Sequence, residues 1–102
     1  MITRLWRGWT ATENADAYEQ FLLTELFPQL RKIPGFRGAD VLRRDGQGEV
    51  GFVTLTRFDT LDAIRAFAGE EYETPVLEPT ARALLSHYDP RAEHFETSSF
   101  DA

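Results

Sequence analysis

An Asp-Gly pair between two strand-like runs constrains this chain more than any other feature. Phe36–Arg44 is one extended run and Glu49–Phe58 is a second, rich in β-branched and aromatic residues. Asp45-Gly46 opens the connection and Gly48 closes it, because glycine tolerates the positive φ that tight hairpin turns require. Asp59-Thr60 then offers a helix N-cap, and Leu61, Ile64, Phe67 and Ala68 fall on one helical stripe. The result is a β-β-α block to which the rest of the chain must fit.

Ile2–Thr10 reads as a strand with bulky groups on both faces. Trp6 and Arg4 share one side, and Leu5, Arg7 and Trp9 share the other. After a short loop, with Thr12 or Asn14 as caps, Tyr18, Phe21, Leu22, Leu26, Leu30 and Ile33 follow helical spacing. Pro28 must kink or restart that helix near Leu26–Pro28, since it removes a backbone donor and crowds the preceding turn. Pro34-Gly35 ends the segment. Beyond Gly69, the acidic stretch Glu70–Pro75 is a solvated connection or a lid over a pocket. Pro79 starts a short helix whose packing residues are Ala81, Leu84 and Leu85, Asp89-Pro90 breaks it, and Ala92–Ser98 is the final strand.

The order is therefore βαββαβ, an α+β ferredoxin-like arrangement with an extra short helix before the last strand. Helices cover only one face of such a sheet. In the third strand Val50, Phe52, Thr54, Thr56 and Phe58 lie on one side and Val53 and Leu55 on the other. Both sides call for cover, which predicts a homodimer with two sheets packed face to face.

Composition narrows the function. A formal net charge of −6 argues against nucleic acid, because phosphate binding needs a basic footprint and Arg43-Arg44 is the only notable cluster. The chain has no cysteine, which removes disulfides, iron–sulfur clusters and cysteine-based zinc sites. No apolar run approaches the roughly 20 residues of a membrane span, and the N-terminus alternates like a strand rather than a signal peptide. A cytoplasmic location is expected. His87 and His94 have no metal-ligand spacing, and no phosphate-loop, dinucleotide or Ser-His-Asp pattern occurs. No metal and no cofactor are expected.

Four segments, Arg4-Leu-Trp-Arg-Gly8, Ile33-Pro-Gly-Phe-Arg-Gly38, Thr56-Arg-Phe-Asp-Thr-Leu-Asp-Ala-Ile64 and Glu93-His-Phe-Glu96, occur in the order seen in the antibiotic biosynthesis monooxygenase family. The chain resembles that family, within the dimeric α+β barrel superfamily. The resemblance implies one domain over residues 1–98, a frayed tail at 99–102, a pocket between helices and sheet, and a dimer barrel. It further implies a cofactor-independent monooxygenase acting on a small aromatic phenol or hydroquinone. Such proteins often carry a Trp at the end of the third strand, where this chain has Phe58. Heme-degrading relatives place an axial His on the following helix, but Leu61–Ala68 contains none.

Oxygenation without a cofactor requires a bound phenol, its deprotonation and a group to stabilise the anion. The candidates are His94 as base, Trp6 and Phe58 as aromatic walls, Arg4 or Arg57 as anion partner, and Tyr72 as a lid residue. The alternative, from a different class, is a non-catalytic dimeric module that binds a small ligand or serves as a stress-related accessory protein.

Overall fold

The first strand, β1 (Ile2–Ala11), runs through the middle of one antiparallel sheet in the computed structural model, which describes all 102 residues. A 3₁₀ turn (Thr12–Asn14) leads into α1 (Ala15–Phe21), a π turn (Leu22–Leu26) and α2 (Phe27–Leu30). Then follow β2 (Phe36–Asp45), β3 (Glu49–Phe58), α3 (Leu61–Ala68), α4 (Pro79–Leu84), β4 (Leu85–Tyr88) and β5 (Glu93–Glu96). The sheet order is β2-β3-β1-β4, with β5 also paired to β1. This is the α+β ferredoxin-like arrangement.

The hairpin closes as its sequence requires. Gly46 N donates to the Glu49 carbonyl at 3.0 Å, and Gly48 takes a φ of 82°. Thr60 caps α3, its hydroxyl accepting from Ala63 N at 3.2 Å. Neither Thr12 nor Asn14 caps α1 through its side chain; the Asn14 amide donates instead to the Leu84 carbonyl at 3.4 Å.

Pro28 acts differently from a simple kink. It has no N–H to give to the preceding turn, and the helix adapts by inserting a π turn in which Phe27 N donates to the Leu22 carbonyl, five residues back. The α-helix resumes with Pro28 in its first turn, where a missing donor costs nothing.

The C-terminal edge corrects the reading of the sequence. The short helix stops at Leu84, and Leu85–Tyr88 form a strand. Leu85 fits the helical stripe, but pairing with β1 overrides that local preference: β4 runs along Gly8–Thr10, and β5 along Ile2–Leu5. Gly8 makes the first pairing feasible, since a Cβ there would lie 2.9 Å from Leu85 Cδ2. The expected final strand, Ala92–Ser98, is shorter, Glu93–Glu96.

Helices pack on one face of the sheet and create two separate cores. Ala15, Tyr18, Phe21, Leu22, Val50, Phe52 and Ala81 form the larger. Phe58, Ala63 and Ile64, flanked by Ile2, Ile33, Phe36 and Phe67, form the smaller. Between them, on the same face, Arg4 pairs with Thr56 and Trp6 with Thr54 across β1 and β3. The other face carries Leu5, Trp9, Val53 and Leu55 half-buried, and Leu42 and Phe95 about half exposed. No helix is long and apolar enough to cross a membrane.

Candidate functional site

The gap between the two cores is a narrow cleft with about 40 Å³ of free volume. Its floor is the cross-strand square Arg4, Trp6, Thr54 and Thr56. Its roof is Tyr18 and Phe21 from α1, Leu22 and Leu26 from the π turn, Phe27 from α2 and Phe67 from α3. Pro75, Val76 and Glu78 close one side, so part of the connection after α3 does border a cavity. The π turn contributes directly to this wall, as such turns often do at functional sites.

Arg4 is the dominant charge. It is 4% exposed and forms no ion pair with any carboxylate. Its Nη1 donates to the Tyr72 carbonyl and to His94 Nε2 (3.1 Å), and its Nη2 donates to the Thr74 carbonyl at 3.1 Å. The Phe67 ring lies 5.5 Å from the guanidinium carbon. Burial lowers the Arg4 pKa to about 10, which leaves it charged at neutral pH. Five guanidinium donors are available and three are used, so two have no partner within the chain. A buried cation lacking a counter-ion is expensive, and an anion entering the cleft would relieve it.

His94 stands behind this group, not in the cleft. It lies opposite Arg4 in the β1–β5 register. Burial pulls its pKa below 6.5, the Arg4 charge pulls it further, and Glu73 opposes both. Because guanidinium can only donate, Nε2 is the acceptor and the ring proton is assigned to Nδ1. The Tyr72 ring meets His94 edge-on at 5.1 Å.

The other sequence candidates are placed as follows. Trp6 lines the cleft through its ring, while its indole N–H donates to the Asp89 carbonyl at 2.8 Å. Phe58 is fully buried in the smaller core and stacks behind Phe67 at 6.3 Å, so Phe67 is the ring that borders the cleft. Arg57 lies on the opposite face of the sheet and pairs with Asp40 at 2.6 Å. Tyr72 contributes its carbonyl to Arg4 and does not line the cleft itself. His87 is on that opposite face too, stacked on Trp9 at 4.5 Å and 3.0 Å from Glu49. Side chains that sequence reasoning passed over are Thr54, Thr56, Phe67 and Glu78, together with Tyr18, taken only as a packing residue. One signal was present: Thr54 and Thr56 interrupt an otherwise apolar stripe, which marks a polar floor between the cores. No group of three or more His, Asp or Glu side chains gathers where it could hold a metal.

Chemically, the cleft is lined mainly by apolar and aromatic side chains, with the Arg4 guanidinium and the Glu78 carboxylate as its charged groups. A family model for antibiotic biosynthesis monooxygenases matches residues 1–73, and the chain belongs to that family. No curated protein matches it by sequence. Among solved structures, a Streptomyces coelicolor monooxygenase from the gene ActVA-Orf6, in complex with nanaomycin D, aligns at a TM-score of 0.67 and 12% identity over 99% of this chain and 90% of its own. A protein of unknown function from Nitrosomonas europaea aligns at 0.65 and 20% identity, over 99% and 92%. The heme-degrader MhuD of Mycobacterium tuberculosis aligns at 0.62 and 15% identity over the whole of both chains. At these identities the likeness is one of fold.

The state of His94 yields a stability prediction. The folded chain holds it neutral at pH values where the unfolded chain protonates it, so this contribution is full above pH 6.5 and is lost as pH falls through the lowered folded value. His94→Gln keeps an acceptor for Arg4 but cannot titrate. Urea unfolding as a function of pH should therefore show a shallower loss of stability below pH 6.5 in the variant than in the wild type.

Proposed function

We propose that the protein is a cofactor-independent monooxygenase that oxidises a small aromatic phenol or hydroquinone. The observation that carries this reading is Arg4: a buried cation with no carboxylate partner, opening on a cleft walled by Trp6 and Phe67. A phenol bound against it is shifted toward its phenolate, the electron-rich form that oxygen attacks. For a phenol with a free para position, one oxygen atom enters the ring as a quinone carbonyl. The other leaves as water with the two displaced hydrogens, so the substrate supplies all four electrons.

In this reading Arg4 is the anion partner, and Trp6 is a wall with Phe58 supporting Phe67 from behind. Tyr72 anchors the loop that closes one side. His94 acts through Arg4 as a positioning residue, because its free lone pair is spent on the guanidinium. Arg57, on the far face, has no part in the reaction. The heme degradation of the mycobacterial neighbour fits this chain poorly, because neither histidine lines the cleft.

The partner is a second copy. The outer sheet face joins an apolar strip of Leu5, Trp9, Val53 and Leu55 to charges of both signs, Arg57 with Asp40 and Arg7 with Glu93. Such a surface can be covered by its own two-fold image. Sedimentation at micromolar concentration should give twice the chain mass of 11.7 kDa; the monomer mass would refute the dimer.

Oxygen uptake with formation of an oxygenated product, without added metal or flavin, over naphthols and anthrols with a free para position, tests the activity against each compound's own autoxidation. Uptake above that background is expected, with Arg4→Gln lowering turnover by about a hundredfold, the usual cost of removing an oxyanion-stabilising donor. Binding without any turnover would instead support the non-catalytic ligand-binding module.

A further inference from the structure

Tyr18 projects from α1 against the larger core, edge-on to Phe52 at 5.0 Å, and is 1% exposed. Its hydroxyl makes no hydrogen bond within the protein. The only side-chain polar atom that is both sealed from solvent and unpartnered is the Thr10 hydroxyl. The Tyr18 hydroxyl is therefore not sealed. Tyr18 is one of the residues that line the cleft.

Register gives the backbone rows on which Tyr18 and Arg4 stand. Arg4 faces Thr56, Trp6 faces Thr54 and Gly8 faces Phe52. Tyr18 rests on the Phe52 row, four residues along β1 from the Arg4 row, or about 13 Å at strand spacing. Trp6 and Thr54 occupy the interval. A flat ring system lying over them presents opposite edges to the two groups.

We infer that Tyr18 is a second polar anchor of the cleft, donating a hydrogen bond to an oxygen at the far edge of the molecule whose anionic end Arg4 receives. The inference rests on the reading of the cleft as an aromatic-anion site and adds a substrate requirement: two oxygen functions at opposite edges. Burial pushes the Tyr18 phenol well above its usual range, so it stays protonated and able to donate. An unpaired donor in a closed apolar wall penalises any ligand that leaves it unmet, which turns a wall residue into a filter.

The test titrates 2-naphthoate and 6-hydroxy-2-naphthoate into the whole protein by calorimetry, anaerobically so that no turnover intrudes. The two share a carboxylate and a ring and differ in the far oxygen. The wild type should bind the hydroxylated compound about tenfold more tightly. Tyr18→Phe should bring that ratio close to one, chiefly by weakening the hydroxylated compound, whose far oxygen loses its donor, and by tightening 2-naphthoate, which no longer leaves a donor unmet. Equal affinities in the wild type, an unaltered ratio in Tyr18→Phe, or failure of both compounds to bind would each overturn the proposal. The wild-type ratio decides by itself should the variant not fold. The oxygenase reading fails separately: absent oxygen uptake with an intact tenfold ratio removes the reaction and leaves the Tyr18 role standing.

Discussion

A guanidinium buried without a carboxylate sets the terms for the rest of this molecule. Arg4 is held by the Tyr72 and Thr74 carbonyls and by His94, so three distant parts of the chain meet at one charge. Those contacts fix the loop after α3 against the sheet and bring β5 alongside β1. They satisfy hydrogen bonds without neutralising the charge, and the unspent electrostatic demand faces the cleft.

The two cores make that demand usable. Had β3 continued its apolar stripe, the helices would have closed on the sheet and left no space. Thr54 and Thr56 lie between Phe52 and Phe58 instead, and Arg4 and Trp6 face them from β1. Above this floor the π turn spreads Leu22 and Leu26 along the roof. The cleft is thus a controlled interruption in packing, bounded by rigid elements on both sides. Its lining is mostly apolar and its one cation is held by three hydrogen bonds, conditions that favour stabilisation of an anion by a fixed charge.

Much of this was legible in the sequence. Period-two alternation gave β1, β2 and β3, and the Thr60 cap has its expected geometry, while in the hairpin the positive φ falls at Gly48 and not at Gly46 of the Asp-Gly pair. Arg4 and Trp6 fall on one face of one strand by parity alone, which is why both could be named as neighbours. The edge strand was not legible, because Leu85–Tyr88 is short and owes its form to Gly8, a distant residue. Side-chain connectivity was hidden too. Phe58 and Phe67 share an aromatic cluster, and only packing shows which of them reaches the cleft. Likewise, parity puts Arg57 on the far face of β3 from Thr56, but only a known cleft makes that fact decisive. Tyr18 belongs to an ordinary amphipathic stripe. Its open hydroxyl becomes visible only once every buried polar atom has been followed to a partner.

The central claim is that Arg4 makes the cleft a receptor for aromatic anions. Calorimetric titration of the wild type with 2-naphthoate and with the uncharged 2-naphthamide, at low and high salt, tests it most directly. The account predicts tighter binding of the carboxylate by about tenfold or more, lost in Arg4→Gln. Salt should narrow that gap only modestly, since the charge is buried. Equal affinities for acid and amide, or a preference unchanged in Arg4→Gln, would contradict it.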